Sequence, residues 1–364
     1  MNKTHLSIDL HALEANYRLI RSKISSEVQI IGVVKANAYG TDAVLVAGKL
    51  IELGVKHLAV AYTEEGVALR KADIKLPILV FYPQAENFKS LIDYDLTPSI
   101  YSFTALDDFE KSVKKEQKSA YPVHLKINTG MNRLGIETGE LGLLKDRLRN
   151  KVLQVNGVFS HFAASGLPGE QDFTQSQIDQ FQRAVDFFKS NFSSAILFHL
   201  GNSSGILNYP AAGYDAVRGG IALYGYGNHP QENRQLQPVA SLYAPIVQIR
   251  NIKAGESVGY DRAFTAKKPC KIATLTLGYA DGISRIYGNA KAIVKVNGKS
   301  APTCGNICMD TMMIDVSGIS CQEGDMVKIF GKEHSATDFD AFQQSIEYEL
   351  ITRISLRVPR IIKK

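Results

Sequence analysis

The stretch VQIIGVVKANAYGTDAVLVAGKLIELG, residues 28–54, contains one complete architectural repeat. VQIIGVV (28–34) is apolar at almost every position rather than at alternate ones, so it reads as a strand buried on both faces. TDAVLVAGKLIEL (41–53) has the spacing of an amphipathic helix, and Gly54 supplies its C-terminal cap. Strand, short loop and helix form the unit of a parallel α/β sheet. Working outward, the unit recurs with KHLAVAY (56–62), PILVFY (77–82), LTPSIY (96–101), PVHLKIN (122–128), LQVNGVFS (153–160), AILFHL (195–200) and YDAVRGGIAL (214–223) as strands. Eight strands alternating with helices predict an α/β fold with an N-terminal (β/α)8 TIM-type barrel; a doubly wound open sheet is the competing arrangement. Among the intervening helices, FTQSQIDQFQRAVDFFKSN (173–191) carries an N-cap signal at Asp172 or Thr174.

After Pro238 the texture changes. APIVQIRNIKAGESVGY (244–260), CKIATLTLGYADG (270–282) and KAIVKVNGKSAP (291–302) are strand-like segments bounded by Gly, Asn and Pro, and VNGK (296–299) is a hairpin-turn signal. The expected division is a barrel over 1–236 and a mostly β domain over 237–364, with SATDFDAFQQSIEYELITRIS (335–355) as a helix. LSIDL at 6–10 is a candidate strand for the β domain rather than the barrel.

The chain of 364 residues is 45% hydrophobic, enough for two cores. Its net charge of +6 is scattered, and acids break the basic runs, as Glu116 does within 111–118, so neither nucleic acid nor a membrane is an expected partner. The polar opening MNKTHLSIDL and the absence of a long apolar run lead us to expect a cytoplasmic protein. Cys270, Cys304, Cys308 and Cys321 are expected to be thiols, and the GNI spacing between Cys304 and Cys308 has no second ligand pair nearby, so no metal is expected.

In such a barrel the active site lies where strands end on the C-terminal side. Lys35 follows IIGVV, Lys126 lies within HLKIN, His161 follows GVFS, Asn202 and Ser203 follow LFHL, and Arg218 follows YDAV. A lysine at the end of a buried strand is desolvated and competent to form a Schiff base. On its own it reads equally well as a lysine reaching to the rim. GNSSG (201–205) and RGGIALYG (218–225) place Gly and Ser in loops where backbone N–H groups and a hydroxyl can meet an anion. Each of these signals is weak alone.

Together the motifs are specific. VVKANAYG (33–40), KINTGMNRLG (126–135), FSHFA (159–163), GNSS (201–204), VRGGIALYG (217–225), VGYD (258–261), LGYADG (277–282) and CMD (308–310) resemble, in order, the motifs of alanine racemases, the fold-type III pyridoxal-phosphate enzymes. The resemblance implies pyridoxal 5'-phosphate as cofactor, Lys35 as the lysine that carries it, and Tyr39, Ser203, Gly220 and Ile221 around its phosphate. Asn202 belongs to the same cofactor loop, Arg218 would face the pyridine nitrogen, and His161 would lie beside the ring. It implies interconversion of L- and D-alanine, supplying D-alanine for peptidoglycan, in a homodimer with composite sites.

Inverting an α-carbon needs an acid–base group on each face, which the resemblance assigns to Lys35 and Tyr260. A tyrosine with an ordinary pKa near 10 is a poor base, so a cation must activate it, and the family's arginine–histidine chain corresponds to Arg218 and His161. An arginine does not readily give its proton to the ring nitrogen, which keeps the electron sink weak and disfavours transamination. Tyr279, Met309 and Asp310 would line the entrance or meet the substrate, Arg133 would hold the carboxylate side, and Lys126 would be carbamylated to orient Arg133. The alternatives are a broader racemase acting on serine, a related-fold decarboxylase or a non-catalytic cofactor carrier; CMD argues against the decarboxylase and the second domain with Tyr260 against the carrier. One position departs from the pattern: ISLRVPR (354–360) has Leu356 where many relatives place a phosphate-contacting tyrosine.

Overall fold

The computed structural model describes residues 3–192, 195–343 and 345–363. Two compact units emerge: one holds Glu14–Ala38 and Ala43–Leu236, the other the N-terminal residues to Leu13, Tyr39–Asp42 and Gln237 onward.

In the first unit the strands Gln29–Val33, His57–Val60, Ile78–Val80, Thr97–Ile100, Tyr121–Asn128, Leu153–Phe159, Leu197–His199 and Ala216–Gly219 pair in parallel, each with the next. The last returns to the first, with Arg218 beside Ile31, so the ring is closed and the open-sheet alternative is excluded. Gln29–Val33, Ile78–Val80 and Ala216–Gly219 contain no exposed position, as strands covered on both faces require. The helix Ala43–Glu52 ends before Gly54, whose φ of +92° makes the expected left-handed cap. The long helix Gln171–Asn191 buries Thr174, Gln177, Phe181, Ala184, Val185 and Phe188 as one stripe. It begins earlier than its sequence signals suggested, with Glu170 as the cap. Asp172 falls in the first turn, where the helix dipole favours an acid, and the Thr174 hydroxyl donates back to the Glu170 carbonyl at 2.8 Å.

In the second unit Ala240–Ile252, Cys270–Leu275, Met312–Asp315, Lys299–Cys304, Ile293–Val296 and Met326–Phe330 form an antiparallel ring. Closure comes from the length of Ala240–Ile252: its first half pairs with Met326–Phe330 and its second with Cys270–Leu275. VNGK makes the expected tight turn, with Asn297 and Gly298 both at positive φ. His5–Ile8 pairs antiparallel with Ala240–Ile252 and parallel with Arg360–Ile362. The helix expected over 335–355 is instead two short ones, Ala336–Phe339 and Glu347–Thr352. Tertiary contacts break it: the Tyr287 hydroxyl donates to the buried Asp340 carboxylate at 2.7 Å, and the Tyr287 ring packs on Phe339. Gln344, within that segment, lies outside the described residues. No helix among the described residues is long and apolar enough to cross a membrane.

Candidate active site

Lys35 stands at the C-terminal rim of the barrel, just beyond the strand Gln29–Val33. The Tyr224 hydroxyl donates to the Val33 carbonyl at 2.8 Å and fixes the end of that strand. Among the described residues the Lys35 ammonium has no ion-pair partner; burial first, and the Arg133 charge second, lower its pKa against the pull of Glu65. Chain direction then turns abruptly. Ala36, Asn37, Ala38 and Tyr39 all have φ between 51° and 54°, one turn of left-handed backbone, followed by Gly40 at +84°. Left-handed geometry costs an L-residue roughly 1–2 kcal/mol, so the turn needs anchors. Glu65 provides one, its carboxylate accepting the N–H groups of Ala36 at 2.5 Å and Ala61 at 2.7 Å, and the Asn37 side-chain Oδ1 accepts from Ala43 N–H at 3.0 Å.

Arg218 is buried and donates to the carbonyls of His199 (3.1 Å), Ser160 (2.7 Å) and Leu200 (2.9 Å), and to the Nδ1 atoms of His199 (2.8 Å) and His161 (3.0 Å). Both terminal nitrogens are thus spoken for. The Nε N–H remains the donor without a protein partner among the described residues. Burial brings Arg218 down to about 9, still charged at neutral pH. His161 lies well below its ordinary pKa, through burial first and then the charges of Arg218, Lys126, Arg133 and Lys35. Gln177, on the long helix, fixes the His161 loop: its amide donates to the His161 carbonyl at 3.1 Å and its oxygen accepts from Ala163 N–H at 3.0 Å. Lys126 is buried with its ammonium 5.0 Å from the Phe159 ring centre, and burial together with Arg218 and Arg133 holds it well below the usual lysine range.

A second rim feature is a cradle of two backbone N–H groups around one serine oxygen. The Ser203 Oγ lies 3.2 Å from both Gly220 N and Ala222 N, accepting from each, so two backbone N–H groups and a hydroxyl converge on one spot. Asn202 shapes the turn: its Oδ1 accepts from Gly205 N–H at 2.9 Å and its amide donates to the Phe162 carbonyl at 3.3 Å. Ile221 is buried between the two cradle amides. Arg133 is exposed.

The β unit carries its own cluster. Tyr260 is 68% exposed on a turn clamped by Asp261, which takes an ion pair from Arg285 at 2.6 Å and a hydrogen bond from Asn306 at 3.0 Å. Gly278, beside Tyr279, meets the CMD segment so closely that a Cβ would lie 2.3 Å from the Met309 carbonyl oxygen; Tyr279 N–H donates to Cys308 O at 3.0 Å. Arg357 ties this surface together by pairing with buried Asp281 and with Asp310, both at 2.6 Å. Tyr39, in the same unit, is buried with its ring 6.1 Å from that of Tyr348, while Leu356 is exposed.

The descriptions of two family models match the chain: the alanine racemase N-terminal domain over residues 8–228 and its C-terminal domain over 239–362. The chain belongs to the alanine racemase family. It is 39% identical to the alanine racemase of Treponema denticola, over 99% of this chain and 98% of that protein, and 35% identical to that of Carboxydothermus hydrogenoformans, over 99% and 100%. Among solved structures it resembles the alanine racemase of Clostridium difficile 630 with a TM-score of 0.94 and 31% identity, covering 100% of this chain and 96% of that one. The Bacillus anthracis enzyme with bound L-Ala-P gives 0.92 and 32%, with coverage of 100% and 96%.

Within the barrel the charges of Arg218, Lys126, Arg133 and Lys35 all bear on His161; Lys35, Lys126, His161 and Arg218 came from the strand-end reading, Arg133 from the family resemblance alone. Sequence reasoning overlooked Glu65, Gln177, Ala222 and Arg357. Ala222 stands inside the quoted VRGGIALYG motif and Arg357 inside ISLRVPR, so both were within reach. Glu65 and Gln177 lie on helices and act through backbone groups, for which no local pattern exists.

Proposed function

We propose that Lys35 and Tyr260 are the two proton-transferring groups of this protein, one for each face of the substrate's α-carbon. As a member of the alanine racemase family the chain is a pyridoxal-phosphate-dependent isomerase that interconverts L- and D-alanine. When bound, the cofactor supplies the conjugated ring that draws electron density from the α-carbon. The residues present fit it: the Ser203, Gly220 and Ala222 cradle suits a phosphate, the unpaired Arg218 Nε N–H suits a ring nitrogen, and Lys35 has a depressed pKa that raises its free-amine fraction. Ile221 and Asn202 hold the cradle in shape, and Tyr39 follows Lys35 on the same turn.

The observation that carries the reading is the bond from Arg218 to His161 Nδ1. A guanidinium only donates, so Nδ1 accepts and the His161 hydrogen sits on Nε2, available to a phenol oxygen. That donor would stabilise Tyr260 as a base. Tyr260, Tyr279 and Met309 are exposed on their own unit, which supports a homodimer in which each barrel receives Tyr260 from a partner subunit. Arg133 would hold the substrate carboxylate, with Tyr279, Met309 and Asp310 limiting its size. Lys126, its pKa pushed well down by burial and then by Arg218 and Arg133, would be carbamylated and pair with Arg133. We assign the barrel to 1–236 with the His5–Ile8 strand in the β domain of 237–364, and place the enzyme in the cytoplasm supplying D-alanine to peptidoglycan. Incubation with L-alanine and chiral chromatography tests the reading: D-alanine must accumulate to near equality, and a serine arm measures breadth.

A further inference from the structure

Arg218 has a second consequence, on its other side. Because the guanidinium cannot accept, His199 Nδ1 at 2.8 Å is an acceptor, and a neutral His199 then carries its hydrogen on Nε2. His199 Nε2 lies 3.0 Å from His124 Nδ1, so His199 donates and His124 accepts, which leaves the His124 hydrogen on its own Nε2. Both bonds in this file of side chains, Arg218–His199–His124, therefore have their direction set by Arg218. Ring planes are fixed as well: Phe159 stacks on His199 at 4.9 Å and 2°. Gly157 makes room for His124, since a Cβ there would lie 2.4 Å from the imidazole Nδ1 and Cε1. Burial first, then the charges on His57 and Arg218, hold His124 down to about 3; burial first, with Arg218 next, holds His199 well below its ordinary value.

The far end of the file opens on a cavity of about 180 Å3 at the N-terminal end of the barrel strands. His57, His124, Thr97 and Asn156 contribute to its walls beside Ile31 and Leu79. The His124 Nε2 hydrogen is thus left at the wall of a polar space with room for water. We propose that His124 and His199, hydrogen-bonded in series from the barrel floor to Arg218, are positioning residues that lock the orientation of Arg218. The floor of the barrel thereby helps aim the Arg218 Nε N–H at the cofactor ring nitrogen. This rests on the reading that Arg218 faces that nitrogen.

The test is nitrogen NMR of the holoenzyme labelled with 15N-histidine, assigned by single-histidine variants. His124 and His199 should show hydrogen on Nε2 and a bare Nδ1, unchanged across neutral and mildly acidic pH; hydrogen on His199 Nδ1, or titration of either ring in that range, overturns the proposal. His124→Phe removes the acceptor and should shift the His199 signals and the visible absorbance of the bound cofactor, with cofactor loss about tenfold faster; His124→Gln, which restores an acceptor, should return both toward the parent. A His124→Phe protein with parental His199 signals and absorbance overturns the positioning role, even if its stability falls; should it not fold, the parent tautomers still decide. Arg218→Lys separates the underlying reading: absorbance unmoved in both Arg218→Lys and His124→Phe, with the tautomers intact, overturns the placement of Arg218 at the ring.

Discussion

On the assignment proposed above, the barrel rim and the surface of the β unit would bring chemistry to one reaction from opposite physical starting points. On the rim, Lys126 and Arg218 are buried; burial displaces the pKa of Arg218, and burial with neighbouring charges displaces those of Lys126 and His161. On the β unit, Tyr260 and Met309 are 68% and 53% exposed, and the order there is in the backbone, through the Arg357 pairs to Asp281 and Asp310. A buried group is tuned by its own fold; an exposed one remains hydrated until something covers it. The contrast says that the barrel carries a prepared half-site and the β unit a presented one.

Removing the prepared half is expected to have the largest effect. Lys35→Ala should lower racemisation by roughly a thousandfold or more, as loss of both the cofactor anchor and an acid–base group implies. Borohydride reduction and peptide mapping of the parent should find the pyridoxyl label on Lys35, and a label elsewhere breaks the assignment.

Removing the presented half should be nearly as damaging but one-sided. Tyr260→Phe is expected to slow proton abstraction from L-alanine by about 10²–10⁴-fold while abstraction from D-alanine in a single turnover is affected far less. Mixing Lys35→Ala with Tyr260→Phe subunits should restore activity, because one hybrid site then has both groups. Absence of recovery after proven subunit exchange would mean that each chain supplies its own tyrosine.

Lys126 tests whether the rim's altered electrostatics are used. A carbamate forms from the neutral amine, and an ordinary lysine offers little of that below about pH 10. Since burial first, and then the neighbouring arginines, lower the Lys126 pKa, its neutral fraction near pH 7 exceeds that of an ordinary lysine and shrinks as pH falls. We expect a carbamate signal from 13C-bicarbonate near neutrality, lost on acidification, and activity about tenfold lower after carbon dioxide is stripped. An unmodified amine near neutrality ends the proposal.

How much of this could be read in advance follows the same division. The eight buried strands announced themselves because apolar runs of strand length recur with helices between them, and the rim residues fall at their ends. The left-handed turn after Lys35 did not, because Ala36, Ala38 and Tyr39 are poor left-handed residues and Glu65, twenty-nine positions away, holds the turn. The broken helix over 335–355 failed for a like reason: Asp340 answers to Tyr287, not to its neighbours. Local patterning reported secondary structure well where burial is uniform, and poorly where a distant side chain overrides propensity.

Leu356 offers the mildest probe of which half secures the cofactor. The family resemblance implies a phosphate-contacting tyrosine at this position, whereas here an exposed leucine follows the helix Glu347–Thr352. A hydrogen bond to a charged phosphate contributes roughly 1.5–3 kcal/mol, about tenfold or more in the dissociation constant. If the β unit normally shares in phosphate binding, Leu356→Tyr should slow cofactor loss on dialysis by about that factor and leave the rate at saturating cofactor unchanged. If retention is unaltered, the Ser203, Gly220 and Ala222 cradle holds the phosphate without help, and the division between a prepared barrel and a presented β unit is sharper than in relatives that keep the tyrosine. The double variant Ser203→Ala with Leu356→Tyr then decides between these outcomes: a tyrosine that reaches the phosphate offsets part of the affinity lost with the serine, and one that does not leaves the loss whole.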